Sequence, residues 1–284
     1  VHNRVHNSRN MKQIFLVLFL TQVMGQPKLY AVPSNGFSIE NNNSKAIIPF
    51  RLVDNFIVVQ AQLNQREPIN LLLDTGTRSI VLFDYRKSKK QGLKPHRKMR
   101  LQGPGFNQTI NGFVTNQVSV TLPQVTASGL SVVSLYNKFD ELTALGIDGA
   151  IGYQLFSRFV VEIDYTNHLI LLYKPDSYQP PQGLISVPLS IEDTKPFIKV
   201  RFSPGSNANM QFKLMIDTGF NDELMILMNK KSHSMYQNAD IKRGYSQVGK
   251  GLGGVIKGRV MAGTPVYLAN MKVTTESVMH PTGK

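Results

Sequence analysis

The chain has 284 residues and a mass of 31.8 kDa, enough for one large domain or two modest ones with buried cores. Its 32 Lys and Arg against 18 Asp and Glu give a formal charge of +14, yet no nucleic-acid-binding motif accompanies the one basic cluster, Arg86 to Arg100, and a solvated basic face is expected there. Zero cysteines exclude disulfides, thiol nucleophiles and Cys-based zinc sites, and six scattered histidines without HExxH spacing argue against a metal centre.

In chain order, residues 1–10 precede Met11 and carry no pattern of a fold. Lys12, the apolar run Ile14 to Leu20 and the residues Val23-Met24-Gly25 follow the order of a secretory leader, so export to a periplasm, envelope or exterior is expected. The apolar run is shorter than the roughly 20 residues that cross a bilayer, so no stable membrane anchor is expected.

From Ile47 the pattern is β. Residues 47–64 ("IIPFRLVDNFIVVQAQLN") predict two strands about Asp54-Asn55, and "EPINLLLD" predicts another ending at Asp74. "KMRLQGPGFNQTINGFV" (98–114) predicts a hairpin with Gly103, Pro104, Gly105 and Phe106 at its tip. "VSVTLPQVTASGLSVVSL" predicts two more strands, Tyr153 to Phe156 a short helix, and 158–173 a hairpin closed near Thr166-Asn167. Residues 174–183 ("KPDSYQPPQG") lack an apolar period and predict a linker between a unit at 47–173 and another at 184–284.

After the linker the pattern restarts. "LLLDTG" (71–76) returns as "LMIDTG" (214–219), with Ile57 lying 17 residues before Asp74 and Ile198 lying 19 before Asp217. An internal duplication is expected. Each strand would deliver a carboxylate from a buried core to a tight turn, where Gly76 or Gly219 lets the backbone pass closely. If a pseudo-twofold axis joins the turns, the two carboxylates share a proton and a water. Like charges at about 3 Å do not both ionise cheaply, so one acid stays protonated while its partner can activate water. The alternative is that each DTG is only a β-turn capped by its aspartate. The glycines at 249–254 lack phosphate-loop spacing and predict a glycine-rich hairpin instead.

Asp74-Thr75-Gly76-Thr77, Asp217-Thr218-Gly219 and "DGAIGYQLFSRFVVEID" (148–164) resemble the aspartic proteases of the pepsin and retropepsin type, and most closely the exported bacterial ones that often carry a PDZ domain. No PDZ-like stretch is read here. The resemblance implies an all-β fold of two barrel-like lobes and an endopeptidase needing no cofactor or metal. It implies a peptide or protein substrate, no nucleic acid, and either a two-lobed monomer or a homodimer pairing two copies of Asp74. Asp74 and Asp217 would be catalytic, Thr75 and Thr218 would buttress each other, Thr77 would support its carboxylate, and Ala150-Ile151-Gly152 would thread behind the first turn. The tip at Gly103 to Phe106 would be a flap over the cleft, with 249–258 as its counterpart. Phe220 stands where a small or hydroxyl residue is usual, and no second apolar-apolar-Gly strand is read after the second DTG, so the second lobe is expected to be incomplete and the activity impaired.

Overall fold

Runs of β-branched and aliphatic residues, broken by Asn, Asp, Gly and Pro, make this chain mostly strand. The computed structural model describes residues 16–18, 36–101, 109–136, 138–202, 210–226, 241–252, 254–263, 265–269 and 271–281. Its elements begin with β1 (Leu16–Leu18), β2 (Gly36–Ile39), β3 (Lys45–Pro49), β4 (Arg51–Val53), β5 (Phe56–Leu63), β6 (Ile69–Leu73) and β7 (Ile80–Leu82). Helix α1 (Tyr85–Lys90), β8 (Arg97–Leu101), β9 (Ile110–Leu122), β10 (Val125–Leu135), α2 (Asp140–Ala144), β11 (Gly149–Ile151), α3 (Tyr153–Phe156), β12 (Val160–Asp164) and β13 (Leu169–Tyr173) follow. The second unit contributes β14 (Leu189–Glu192), β15 (Lys195–Phe202), β16 (Met210–Met215), β17 (Ile241–Gly251), β18 (Gly254–Ala262), β19 (Val266–Leu268), β20 (Met271–Val273) and β21 (Ser277–Pro281).

The decisive crossing lies in the large first-unit sheet, ordered β2-β10-β7-β11-β6-β5-β9-β8. Strand β6 runs up to Asp74 and β7 leaves after the turn, but the two do not pair. Strand β11, which comes much later in sequence, inserts between them, parallel to β6 and antiparallel to β7. Leu71, Leu73, Ile80, Leu82 and Ile151 lie fully buried at this crossing. Each such side chain contributes roughly 1.5–3 kcal/mol by leaving water, so the crossing is anchored by the core it forms. The expected hairpins are present: Asp54 and Asn55 both adopt left-handed conformations between β4 and β5, and the Asp164 carboxylate accepts the N–H groups of Thr166 and Asn167 between β12 and β13.

Two features extend the expected boundaries. Strand β2 pairs with β10, so the first unit's sheet takes residues from before Ile47. Three residues of the apolar run read as a leader, Leu16–Leu18, lie antiparallel beside β12, and cleavage after about Gly25 would remove that strand. The segment 174–183 opens with a 3-10 turn, Pro175–Ser177, and is fastened to the first unit. The Lys174 Nζ donates to the Asn42 carbonyl and side-chain oxygen, and Tyr178 stacks edge-on against Tyr173 at 4.9 Å. Among the described residues no helix is long and apolar enough to cross a membrane.

The second unit repeats the first. In the first unit Gly112 faces Leu135 across the β9/β10 ladder, and in the second Gly258 faces Pro281 across β18/β21, each residue 146 positions later. The same shift carries β9 onto β18 and β19, and β10 onto β20 and β21. The segment after the second DTG meets β21 in parallel through Met225 and Met279, as β7 meets β10. Its core is small, formed by Val200, Ile226, Met261, Val266 and Val278. Among the described residues, no strand lies beside β16 as β11 lies beside β6, and β16 pairs with β15 alone.

Gly112 and Gly258 test the equivalence. A β-carbon at Gly112 would stand 2.5 Å from the Ser134 carbonyl oxygen, and one at Gly258 would stand 2.1 Å from that of His280. Both neighbours are backbone and cannot swing aside. Gly112→Ala and Gly258→Ala are each expected to lower stability by more than the few tenths of a kcal/mol of a neutral exposed change, read by urea unfolding. If either variant unfolds at the wild-type midpoint, the matched registers are wrong.

Candidate active site

Two turns meet at the junction of the units. Each begins where a buried apolar strand ends, so each aspartate leaves a fixed backbone. The Asp74 N–H donates to the Ile151 carbonyl at 2.9 Å, which ties the first turn to β11. Gly152 then passes so closely that a β-carbon there would lie 2.2 Å from the Asp74 carbonyl oxygen and 2.3 Å from that of Thr77. The Ala150-Ile151-Gly152 segment thus lies behind the first turn.

The turns are locked together by reciprocal hydrogen bonds. The Thr75 N–H donates to Thr218 Oγ1 at 3.1 Å, and the Thr218 N–H donates to Thr75 Oγ1 at 3.0 Å. Each hydroxyl passes its own proton onward, Thr75 to the Ile216 carbonyl at 2.6 Å and Thr218 to the Leu73 carbonyl at 2.7 Å. Thr75 is only 2% exposed, so water does not compete for these groups. Outside the turns the units clasp each other twice more in matching places: Arg78 pairs with Asp193, and the Asn221 side chain donates to Asp54 Oδ2 at 3.0 Å.

Above this lattice the Asp74 and Asp217 carboxyls approach each other closely enough for the charge of one to act on the other. Both lie over the two glycines of the turns. A β-carbon at Gly76 would be 3.0 Å from Asp74 Oδ1 and 3.2 Å from Asp217 Oδ2, and one at Gly219 would be 2.5 Å from Asp74 Cγ. The Gly76 N–H donates to Asp74 Oδ1 at 2.7 Å and the Gly219 N–H to Asp217 Oδ1 at 2.9 Å. Glycine is therefore required twice, for approach rather than for an unusual φ.

Burial and proximity set the protonation of the pair. Desolvation first, and then the Asp217 charge, push the Asp74 carboxyl up to about 7, against the weaker pull of the Gly76 and Thr77 N–H groups. Burial also leaves the Asp217 carboxyl raised, offset in part by the Gly219 N–H. A pair of acids raised in this way can hold a proton on one carboxyl while the other is ionised, a state that can both polarise a carbonyl and take a proton from water.

Several side chains depart from the sequence reading. The Thr77 hydroxyl points to the Ser79 carbonyl at 3.3 Å, so Thr77 supports Asp74 through its backbone N–H. At Phe220 the N–H reaches the Asp217 carbonyl at 3.4 Å, so the backbone turn closes without a hydroxyl there. The arms of the first hairpin are β8 and β9, while its tip, Gly103 to Phe106, lies outside the described residues. In the counterpart hairpin β17/β18, Leu252 packs against the first unit's apolar cluster that includes Phe56, Val58, Leu72 and Ile110. Two residues went unread. Gln154 accepts the Ile80 N–H at 2.9 Å and donates to the Ser131 carbonyl at 3.2 Å, bracing β7, and Lys195 heads β15 beside Pro196, whose carbonyl accepts the Ile216 N–H. A lone glutamine and a lysine in a turn carry no motif, but aligning the two units would have placed Lys195 near the second DTG.

No protein-family model matches the chain, and no curated protein matches it. Among solved structures, the aspartic proteinase from Irpex lacteus is similar over 81% of this chain and 78% of its own, with a TM-score of 0.52 and 15% identity. The fold is that of an aspartic proteinase. At 15% identity, the likeness shows the pepsin-like architecture alone.

Two measurements probe the site without any substrate. Thr75→Val orphans the Thr218 N–H and the Ile216 carbonyl at once, and is expected to cost roughly 2–4 kcal/mol in denaturant unfolding. The second concerns Asp74, which in the unfolded chain titrates near 3.8 and in the fold near 7. Between those values the folded state binds the extra proton, so the contribution of this one carboxyl is full below pH 3.8 and is lost as pH rises towards 7. Asp74→Asn removes this term. Its melting temperature should exceed that of the wild type at pH 7, and the gap should close near pH 4.

Proposed function

We propose that the protein is an aspartic endopeptidase in which Asp74 and Asp217 act as one dyad. The observation that carries this reading is the meeting of the two carboxyls over the turn glycines, Asp74 Oδ1 at 3.0 Å and Asp217 Oδ2 at 3.2 Å from a β-carbon at Gly76, above a reciprocal threonine lattice. That arrangement presents two acids, which repel when both are ionised, to the same small space.

In this reading an extended peptide lies between the hairpin β8/β9 and the dyad, bound as a strand. The ionised carboxylate takes a proton from water as the water oxygen attacks the scissile carbonyl carbon. The protonated partner donates a hydrogen bond, then its proton, to the carbonyl oxygen. The tetrahedral diol collapses when a dyad proton passes to the amide nitrogen, the C–N bond breaks, and the acid and amine leave. No metal, cofactor or covalent intermediate enters the balance. The turn glycines and the threonine lattice do the positioning, on which such general acid and base steps depend. The partners are peptide or protein substrates.

A second reading is a peptide-binding β-domain that does not cut: among the described residues β16 pairs with β15 alone, whereas β6 is flanked by β5 and β11. Cleavage of a generic unfolded protein separates the two. Asp74→Asn and Asp217→Asn are each expected to reduce kcat/KM at least about 100-fold while the variants stay folded. Unchanged cleavage in Asp74→Asn overturns the assignment. Cleavage retained in Asp217→Asn by a dimeric protein would instead support a homodimer built on two copies of Asp74. The leader-like order of 11–25 supports export, and N-terminal sequencing of secreted protein should find a start after about Gly25.

A further inference from the structure

The chain from Tyr85 to Phe139 contains no aspartate and no glutamate. It spans α1, the hairpin β8/β9 and β10, and its cations are concentrated between Arg86 and Arg100. Three cations near its ends find carboxylates: Arg86 pairs with Asp84 at 2.9 Å, Lys87 with Asp148 at 2.8 Å and Lys138 with Asp140 at 2.9 Å. Among the described residues no carboxylate pairs with Lys89, Arg97, Lys98 or Arg100, all of them exposed.

The β8/β9 ladder sorts these side chains by face. Residues directly opposed in an antiparallel pair share a face, and successive residues alternate. Arg97, Met99 and Leu101 oppose Val114, Gly112 and Ile110, on the face that packs into the apolar cluster with Phe56 and Leu72. Lys98 and Arg100 oppose Phe113 and Asn111 on the other face. There the Phe113 ring meets two exposed tyrosines, at 5.9 Å from Tyr85 and 5.5 Å from Tyr136 between centroids. Rings and cations together suit a bound side chain with an apolar stem and a charged head.

Strand β8 also ends its sheet. It pairs with β9 and, among the described residues, with no other strand, so its outer row of N–H and C=O groups is open. We propose that this edge is a docking site for an extended acidic peptide segment, which adds as a further strand and sets carboxylates at alternate positions against Lys98 and Arg100. The residue between them faces the side of Met99, where an apolar side chain fits. A second copy of the chain does not fit, because two β8 edges would set cation against cation. A nucleic acid supplies the charge but no peptide backbone to complete the ladder. In the protease reading the hairpin β8/β9 covers the cleft, and the same edge then recruits protein substrates with alternating acidic segments; only this use rests on that reading.

The test is fluorescence anisotropy of labelled peptides on the full chain carrying Asp74→Asn, which keeps them from being cut. A peptide alternating glutamate with valine should bind roughly fivefold tighter than one of the same composition with its glutamates in a block, and added salt should weaken it. Lys98→Glu with Arg100→Glu should transfer the preference to a peptide alternating lysine with valine. Lys98→Gln with Arg100→Gln should abolish it, and serves if the first pair does not fold. Equal binding of the two glutamate peptides, or a preference unchanged by the paired substitutions, overturns the proposal. Tighter binding of a single-stranded oligonucleotide of equal charge overturns it as well. On unfolded protein substrates, an alternating acidic segment should lower KM and leave kcat unchanged. Peptide preference without cleavage keeps the docking site and removes the protease reading, whereas cleavage without the preference does the reverse.

Discussion

The reciprocal bonding of Thr75 and Thr218 is the interaction on which the site depends. Each threonine offers one hydroxyl that accepts from the opposite backbone and donates to it, so four backbone groups are satisfied by two side chains. Neither turn can use its own threonine for this purpose. The units must therefore meet in one register before either aspartate is fixed, and the meeting itself brings the carboxyls together. Charge repulsion between them would drive the turns apart, and it is relieved when only one of the two is ionised.

Acid and base affect different parts of the molecule in opposite directions. The dyad binds its extra proton more readily in the fold, so acidification favours it. Buried His280, in β21, is pulled down to about 4 by desolvation, so its contribution is full above 6.5 and is lost as pH falls towards 4. His280 stands where the first unit has Ser134, which does not titrate in this range. Acid therefore burdens the second unit, whose core is already the smaller, while relieving the site that both units share.

Much of the architecture was legible because it is written in local pattern. The strand ends, the DTG turns, the hairpin at Asp54-Asn55 and the strand of Ala150 and Ile151 all follow from apolar runs and glycine placement. The cross-unit contacts were not legible in detail, since Arg78 with Asp193 and Asn221 with Asp54 join residues more than a hundred positions apart. The Thr77 hydroxyl went elsewhere because its own backbone N–H already reached Asp74. The short helices α1 and α2 carry too few residues for an apolar period, and α1 was seen only as a cluster of basic side chains.

The insertion of β11 between β6 and β7 has a consequence for how the chain must be made. Asp74 is held by the Ile151 carbonyl, and the path from Thr77 to Gly152 includes the whole β8/β9 hairpin. During synthesis the first turn leaves the ribosome long before its partner does, so it must wait as an open end of sheet. Such long-range closure slows folding because loop entropy is lost before contacts compensate. The segment that sets the acid is thus among the last of the first unit to arrive, and the chain cannot assemble that half of the site until its own unit is nearly finished.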